Sequence, residues 1–305
     1  MPVPAIETRD LTKLYGPAVG VEGLHLDVQP GEIFGFLGPN GAGKTTTIRL
    51  LLDLIRPTRG EALLFGRPAR DPASRGRVGY LPDDLALDER ITGRQTLRFF
   101  DALRGAGSAP ADPRRTADLC GRLGLTAADL DRPVGDDSRG TKQKIGLAAA
   151  LQGDPDLLIL DEPTTGLDPL VREAVFEILR EAGGAGRTVF LSSHVLSEVD
   201  RTCTRVGILR AGRLVAVQRV EEMRRSAVRR MVVRFGGDVP VSDLSLPGIE
   251  IVEREGGRAV LRVSGDLGPL LGALARHPVL HLVFPEPDLE EAFVRWFRGA
   301  GGDAP

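Results

Sequence analysis

The sequence predicts an α/β protein built on a parallel β-sheet, with a helical insertion in mid-chain and a small α+β domain after it. Short apolar runs such as residues 157–160 alternate with helical segments, as in a parallel sheet covered by helices. Residues 84–151 are mostly helical in pattern, and after about Arg225 shorter alternating strands begin. The 305 residues, 42% of them apolar, suffice for one large domain or two ordinary ones.

The predicted elements of the first part follow in chain order. Strands with apolar or alternating patterns are expected at residues 5–8, 24–28, 32–37, 61–65, 157–160, 188–191, 206–209 and 213–217, the last two as a hairpin around Ala211 and Gly212. Besides those of the insertion, helices are expected at residues 45–54, 171–182 and 196–203. The Pro- and Gly-containing residues 56–60 end the first of these helices.

The second part predicts a separate small domain. Its strands are expected at residues 231–235, 250–254, 259–263 and 279–283, and its helices at residues 267–276 and 289–297. We therefore predict a first domain at residues 1–224, a second at residues 225–297, and a disordered tail at residues 298–305.

The bulk composition argues against several classes of protein. A net charge of −2 gives no electrostatic case for nucleic-acid binding. Two distant cysteines, Cys120 and Cys203, form neither a disulfide framework nor a zinc spacing. The first residues lack a signal-peptide pattern, and no apolar run reaches the roughly 18 residues of a membrane span. We expect a chain that does not itself cross a membrane.

Residues 38–45 match the phosphate-loop pattern and lie between a predicted strand and a predicted helix. Glycines let backbone N–H groups turn toward phosphates, and the helix points its positive end at them. Lys44 is expected to reach the β- and γ-phosphates of ATP, and the Thr45 hydroxyl to ligate Mg²⁺. The strand–loop–helix context argues against a chance Gly-rich turn. The predicted ATP-binding residues here are Gly38, Pro39, Asn40, Gly41, Ala42, Gly43, Lys44, Thr45 and Thr46.

Two acids end the apolar run at residues 157–160. Asp161 is expected to hold Mg²⁺, and Glu162 to orient and deprotonate the attacking water. The alternative is a strand that ends in solvated acids. The presence of a phosphate loop in the same chain argues against this alternative. We therefore predict that Lys44 and Glu162 take part in ATP hydrolysis.

In their order along the chain, these motifs resemble the ATP-binding subunits of ABC transporters. Residues 161–169 resemble the Walker B segment and D-loop of that family. Residues 192–194 resemble its switch-histidine segment, which implies a catalytic contact of His194 with the γ-phosphate. Tyr15 stands where the family stacks an aromatic ring on adenine. Taken alone, His194 would be interpreted as a loop histidine with satisfied hydrogen bonds, and Tyr15 as an aromatic residue that serves packing.

The resemblance covers about residues 4–220 and implies a P-loop NTPase fold. Such a fold has a RecA-like parallel sheet core, an antiparallel edge sheet and a helical subdomain, here about residues 84–151. The resemblance also implies ATP and Mg²⁺ as cofactors, a homodimer of ATP-binding subunits and a separate multi-span membrane permease. The chain would then lie at the cytoplasmic face of the cell membrane, held there by the permease.

The signature segment departs from the family pattern Leu-Ser-Gly-Gly-Gln. Here Asp137, Ser138, Arg139, Gly140 and Thr141 stand in its place. Ser138 and Gly140 are retained, and the family implies that they bind the nucleotide held by the other subunit. Arg139 replaces a glycine, so closure of the dimer could be altered.

A second departure is Asp83, where the family has a glutamine that contacts Mg²⁺ and links the site to the membrane subunit. A carboxylate can ligate Mg²⁺, but when ionised it donates no hydrogen bond. The alternative is a solvated loop acid, and the sequence leaves both interpretations open.

Residues 288–293 resemble the C-terminal region of the ABC-2-type branch, which includes daunorubicin-type efflux systems. That resemblance implies export of a drug-like or other hydrophobic substrate, and with it antibiotic resistance. Three functions are alternatives to transport. They are a soluble ABC ATPase acting on DNA or ribosomes, a regulatory subunit with weak hydrolysis, and a phosphate-loop kinase or GTPase. The chain lacks the coiled-coil insertion or second ATP module expected of the first, and the guanine motif of a GTPase. The substrate itself is not readable, because its contacts lie in the permease.

Overall fold

The computed structural model describes residues 2–104, 110–226, 229–238 and 241–285. The chain forms two compact units, Met1–Val217 and Gln218–Pro305. The sequence placed this boundary after residue 224. No helix in the described ranges is both long and apolar enough to span a bilayer.

Ten strands and eight helices make up the first unit as described. The strands are β1 (Ile6–Tyr15), β2 (Ala18–Val28), β3 (Ile33–Leu37), β4 (Arg59–Leu64), β5 (Arg67–Pro68), β6 (Val78–Leu81), β7 (Leu157–Asp161), β8 (Thr188–Ser193), β9 (Arg205–Arg210) and β10 (Arg213–Arg219). The helices are α1 (Lys44–Leu51), α2 (Pro72–Arg75), α3 (Gly93–Ala102), α4 (Pro113–Arg122), α5 (Ala127–Asp131), α6 (Arg139–Leu151), α7 (Pro169–Gly184) and α8 (Leu196–Thr202).

The central sheet has the strand order β10-β9-β3-β8-β7-β6. Its pairs from β9 to β6 are parallel. Every residue of β3, β7 and β8 is buried. Helices α1, α7 and α8 contact these strands, and residues of a second, antiparallel sheet share their core. The parallel core predicted from the apolar runs is confirmed.

Strand β6 was not predicted as a strand, because Val-Gly-Tyr-Leu is short and contains a glycine. The glycine has a packing reason. A Cβ on Gly79 would lie 2.3 Å from the carbonyl oxygen of Ala150 in α6. Glycine thus allows α6 to pack directly against the sheet edge.

An antiparallel sheet with the order β2-β1-β4-β5 lies beside the central sheet. Strand β1 extends well past the predicted residues 5–8. Asp10 has a φ of 49°, and the register with β2 shifts between Thr8 and Leu11, so a bulge interrupts the alternation. Helix α1 contacts both sheets, and Ile48 and Leu51 are fully buried in the core between them.

The described elements between β6 and β7 are helices α3 to α6 and a short 3₁₀ helix, Val134–Asp136. Side-chain caps set where these helices begin. Thr92 and Gln95 form a capping box on α3, and Ser138 caps α6 by accepting a hydrogen bond from the Thr141 N–H.

The second unit contains α9 (Val220–Ser226), β11 (Arg229–Phe235), α10 (Val241–Leu244), β12 (Ile249–Glu255), β13 (Arg258–Val263), α11 (Gly268–Leu274) and β14 (Val279–Val283). Its antiparallel sheet has the order β12-β13-β11-β14. Alternate residues of β11, including Met231 and Val233, join Leu270 of α11 in a separate core. The predicted helix at residues 289–297, the segment 288–293 and the tail at 298–305 lie outside the described residues.

Candidate functional site

The phosphate loop connects the end of β3 to the start of α1, and glycine is required at two of its positions. Gly43 has a φ of 109°, and a Cβ there would lie 2.3 Å from the Gly20 carbonyl oxygen. A Cβ on Gly38 would lie 2.5 Å from the Leu209 carbonyl oxygen. Any side chain at either position would displace the loop, so both glycines fix its path.

Lys44 is the buried cation of this loop. Its side chain is 6% exposed, and its Nζ donates to the carbonyl oxygens of Gly38 at 2.7 Å and Pro39 at 3.3 Å. The same Nζ lies 3.2 Å from Oε1 of Glu162. The loop therefore places a compact positive charge against the acid at the end of β7.

Asp161 lies at the end of β7 and is fully buried. Its Oδ1 accepts a 2.5 Å hydrogen bond from Ser192, whereas its Oδ2 is buried with no hydrogen-bond partner. Burial raises the pKa of this carboxyl and the charge of Asp83 adds to the rise, while the Ser192 hydrogen bond and the nearby Thr45 hydroxyl oppose it. A buried carboxylate oxygen without a donor, beside the Thr45 hydroxyl, suits a hard cation such as Mg²⁺.

Glu162 follows Asp161 with a φ of 49°, an unusual conformation for a residue with a side chain. Its N–H donates to the Ser192 hydroxyl at 3.0 Å. Its Oε2 lies 2.8 Å from Nδ1 of His194, while Oε1 faces Lys44. The carboxylate thus lies between a lysine and a histidine from two other segments, and only 10% of its side chain is exposed.

Tyr15 and Thr46 flank Gly20 next to the phosphate loop. A Cβ built on Gly20 would lie 2.9 Å from Cε2 of Tyr15 and 3.1 Å from Cγ2 of Thr46. The tyrosine is 47% exposed, and Nζ of Lys13 lies 5.3 Å from its ring centroid. An exposed aromatic face beside the loop is available for stacking on a planar ring.

The two departures from the family pattern border one cavity of about 420 Å³. Asp83 reaches it from the loop after β6, and Arg139 from the start of α6. The other lining residues are Asp84, Leu85, Asp137, Lys142 and Gln143. In the sequence alone Asp83 and Arg139 are separate features, because their adjacency depends on the packing of the helical segment.

Ser138 and Gly140 lie at the start of α6, beside the segment that follows β7. A Cβ on Gly140 would lie 2.9 Å from the Gly166 carbonyl oxygen. Within the described ranges, no hydrogen bond or ion pair connects these two residues to the phosphate loop of the same chain. Lys44, Asp161, Glu162 and His194 are therefore brought together, whereas Ser138 and Gly140 are not part of that group.

Sequence reasoning missed two residues that support the acids. Ser192 joins the Asp161 carboxylate to the Glu162 backbone. Gln143 is buried on α6, and its Nε2 donates to the Pro163 carbonyl oxygen at 3.2 Å. Ser192 had a signal, since it lies two residues before His194, in the segment 192–194 that resembles the switch-histidine segment. Gln143 had none, because its target is distant in sequence.

Comparison with known proteins agrees with this geometry. A family model described as ABC transporter matches residues 21–165. The Nod factor export ATP-binding protein I of Cupriavidus metallidurans is 38% identical over 294 residues, which are 95% of this chain and 96% of that protein. A solved ATP-binding subunit of an ABC transporter aligns with a TM-score of 0.65 and 30% identity over 72% of this chain and 92% of its own.

A second solved structure shows the same fold at lower identity. It is a dimeric ATP-binding cassette in a post-hydrolysis state, bound to ADP and Pi. The TM-score is 0.65 at 20% identity, over 70% of this chain and 98% of that chain. The α/β fold predicted from the sequence is thereby confirmed.

Proposed function

Because this chain belongs to the ATP-binding subunits of ABC transporters, which are ATPases that power transport, we propose which of its residues hydrolyse ATP and what kind of substrate its transporter exports. One observation supports the assignment of residues most strongly. The Glu162 carboxylate lies 3.2 Å from Lys44 and 2.8 Å from His194, with Asp161 immediately before it in the chain. These groups come from the phosphate loop, the end of β7 and the segment after β8.

In the proposed mechanism, Glu162 accepts the proton of the attacking water, and Lys44 stabilises charge on the β- and γ-phosphates. The carboxylate accepts from Nδ1 of His194, which fixes the ring orientation. The side chain of His194 is 48% exposed, so the rest of the ring can contact the γ-phosphate. Tyr15 would stack on adenine, and the backbone of residues 38–46 would hold the phosphates.

The residues that would hold Mg²⁺ are Thr45 and Asp161, with Asp83 as a third candidate. Bound there, the metal supplies charge neutralisation of the phosphates. The unpartnered Oδ2 of Asp161 supports the assignment of Asp161, and the Asp83 charge, which contributes to the raised pKa of Asp161, supports the candidacy of Asp83.

We propose a homodimer in which Ser138 and Gly140 of one copy bind the nucleotide held by the other. Their separation from the phosphate loop of their own chain supports this arrangement. Subunits of this family form dimeric cassettes, and one cassette with this fold was solved as a dimer with ADP and Pi.

The proposed membrane partner is a separate permease. A groove of about 1070 Å³ lies between β6 and helices α3 and α6. Phe100 and Leu103 of the α3 region and Tyr80 of β6 line it, and Leu103 is 61% exposed. We assign this groove to a segment of the permease, because it adjoins the loop that carries Asp83. Docking there would place the chain at the cytoplasmic face of the membrane.

The proposed direction is export of a drug-like or other hydrophobic substrate. The relative named for Nod factor export covers nearly the whole of this chain, which supports export. The narrower assignment to the ABC-2 and daunorubicin-type branch, and to antibiotic resistance, depends on residues 288–293.

The decisive experiment is ATP hydrolysis and transport by the chain reconstituted with its permease in lipid vesicles. We expect hydrolysis that needs Mg²⁺, is lost in Lys44→Ala, and drives outward movement of an apolar fluorescent dye. Hydrolysis without transport of any apolar dye would refute the substrate assignment. Weak hydrolysis that the permease does not stimulate would instead favour a regulatory subunit.

A further inference from the structure

A buried carboxylate outside the proposed catalytic set lies between the two segments that carry Glu162 and His194. Glu198 is in the first turn of α8 and is 6% exposed. Burying a carboxylate is costly unless its oxygens are hydrogen-bonded and its charge is balanced. Both oxygens of Glu198 are hydrogen-bonded, and an arginine lies nearby.

Each oxygen of Glu198 accepts from a different segment. Oε1 accepts from the Thr164 hydroxyl at 2.7 Å, and Oε2 accepts from the Ser193 hydroxyl at 2.8 Å. Thr164 lies just after Glu162, and Ser193 lies just before His194. One carboxylate therefore joins the two loops whose side chains meet in the site.

Both hydroxyl groups belong to turns that contain a site residue. Ser193 Oγ accepts the Val195 N–H at 2.9 Å, which closes a turn around His194. The Thr165 N–H donates to the Glu162 carbonyl oxygen at 3.2 Å, which closes a turn that contains Thr164. Movement of either hydroxyl would thus move the backbone of the neighbouring site residue.

Arg172 places a positive charge near Glu198 and extends the network. Its Nε lies 4.0 Å from Oε1 of Glu198, and its Nη2 donates to the Leu167 carbonyl oxygen at 3.3 Å. Leu167 belongs to the segment between β7 and α7. The network therefore reaches from α8 through the segment after Glu162 to the start of α7.

We propose that Glu198 is a positioning residue for ATP hydrolysis, acting through Thr164 and Ser193 on the contact between Glu162 and His194. The proposal rests on the roles proposed above for those two residues. Because the contact spans 2.8 Å, a shift of one loop by about 1 Å would break it, and such misplacement lowers turnover.

Within the described residues, Glu198 forms no hydrogen bond or ion pair with the phosphate loop. Ser193 does contact that loop, since its carbonyl oxygen accepts from the Gly38 N–H at 3.3 Å, but this bond continues the pairing of β3 with β8 and does not use the Ser193 hydroxyl. Nucleotide binding would therefore change less than the chemical step.

Steady-state kinetics of the full chain test the proposal. For Glu198→Ala we expect kcat to fall on the order of 10–100-fold with KM for ATP nearly unchanged, since a group needed only for the chemical step has been displaced. Glu198→Gln should recover most of the loss, because an amide can accept from one hydroxyl and donate to the other.

Glu173→Ala is the matched control. Glu173 also pairs an α7 side chain with α8, through an exposed ion pair with Arg201, and lies outside the proposed site. We expect it to hydrolyse ATP like the wild type. Wild-type hydrolysis and its loss in Glu162→Gln separately establish whether the proposed site functions.

The hydroxyl partners keep the test decisive if Glu198→Ala does not fold. Thr164→Val and Ser193→Ala should each lower kcat by themselves. If Glu198→Ala does fold, each should add little in that background, because both act through the same carboxylate. The proposal is wrong if these variants keep wild-type kcat. It is equally wrong if KM rises in step with the loss of kcat, or if Glu198→Gln is as impaired as Glu198→Ala while the wild-type site functions.

Discussion

Glu162 shows at the residue scale how the chain holds a reactive group in place. A φ of 49° turns this residue away from the direction of β7. Ser192 holds its N–H, Lys44 faces one carboxylate oxygen and His194 contacts the other. The unfavourable backbone conformation persists because several contacts from separate segments determine it.

Asp83 gives the first prediction at this scale. Glutamine at this position would remove a negative charge that raises the pKa of Asp161 and would restore a hydrogen-bond donor. We expect Asp83→Gln to increase several-fold the stimulation of ATPase activity by the permease. The measurement is ATP hydrolysis with and without the membrane subunit. Asp84→Asn, which borders the same cavity, is the control, and identical stimulation in wild type and Asp83→Gln would contradict the idea.

The cysteines give a second prediction. Burial raises the pKa of both Cys120 and Cys203, so less reactive thiolate is present at a given pH than for a free cysteine. We expect neither thiol of the native chain to react with an alkylating reagent near pH 8, and both to react after unfolding. Mass spectrometry after brief labelling reports this directly. Rapid modification of the native protein would show that α4 or α8 opens.

At the scale of an element, the shape of the phosphate loop depends both on its own residues and on the packing of the elements beside it. Its glycines provide conformations that other residues rarely adopt. The strand before it and the helix after it are anchored separately, by Phe36 in the sheet and Ile48 in the core between the sheets. A short loop can therefore hold a fixed shape, because the elements on both sides of it are anchored.

A comparison of Gly43 with Gly41 separates two reasons for glycine in the loop, the backbone conformation and the lack of space for a side chain. Both have positive φ, but a Cβ on Gly41 would meet nothing within 4 Å, whereas a Cβ on Gly43 would overlap the Gly20 carbonyl oxygen. We expect Gly41→Ala to cost about 1–2 kcal/mol of unfolding free energy from the backbone alone. Gly43→Ala should cost more and should also abolish ATP binding. Urea unfolding and nucleotide titration measure both effects, and equal costs would refute the steric explanation.

At the scale of the whole molecule, the proposed homodimer would complete the site with residues of a second copy. The described contacts assemble Lys44, Asp161, Glu162 and His194 within one chain. Ser138 and Gly140 lie at the start of α6, apart from that group. The second unit, residues 218–305, has its own core and its own sheet and shows no residue of the proposed catalytic set.

Glu162→Gln tests this dimer. Removing the base while keeping the shape of the side chain should stop turnover and trap an ATP-bound dimer. Gel filtration with and without ATP should show a shift to the dimer in this variant. The added substitution Lys44→Ala should prevent the shift by removing a phosphate contact. If only monomer elutes and hydrolysis persists, both the dimer and the base assignment are wrong.

The sequence by itself determined the parallel sheet, the helical insertion and the segments that carry the site. Apolar runs, glycine positions and the order of acids are local properties, so they are readable without coordinates. Strand β6 and most of the length of β1 were missed, because a buried glycine and a bulge disrupt the periodicity on which such predictions depend.

Only the tertiary structure decided how these segments meet. It placed Ser192 between two acids, brought Asp83 and Arg139 to one cavity, and joined Thr164 and Ser193 through Glu198. The partners in each case are separated by a strand or a helix along the chain. The Ser192 contacts follow from the pairing of β7 with β8, and the other two from the packing of α6 and α8 in the first unit. No local pattern of residues encodes this pairing or packing.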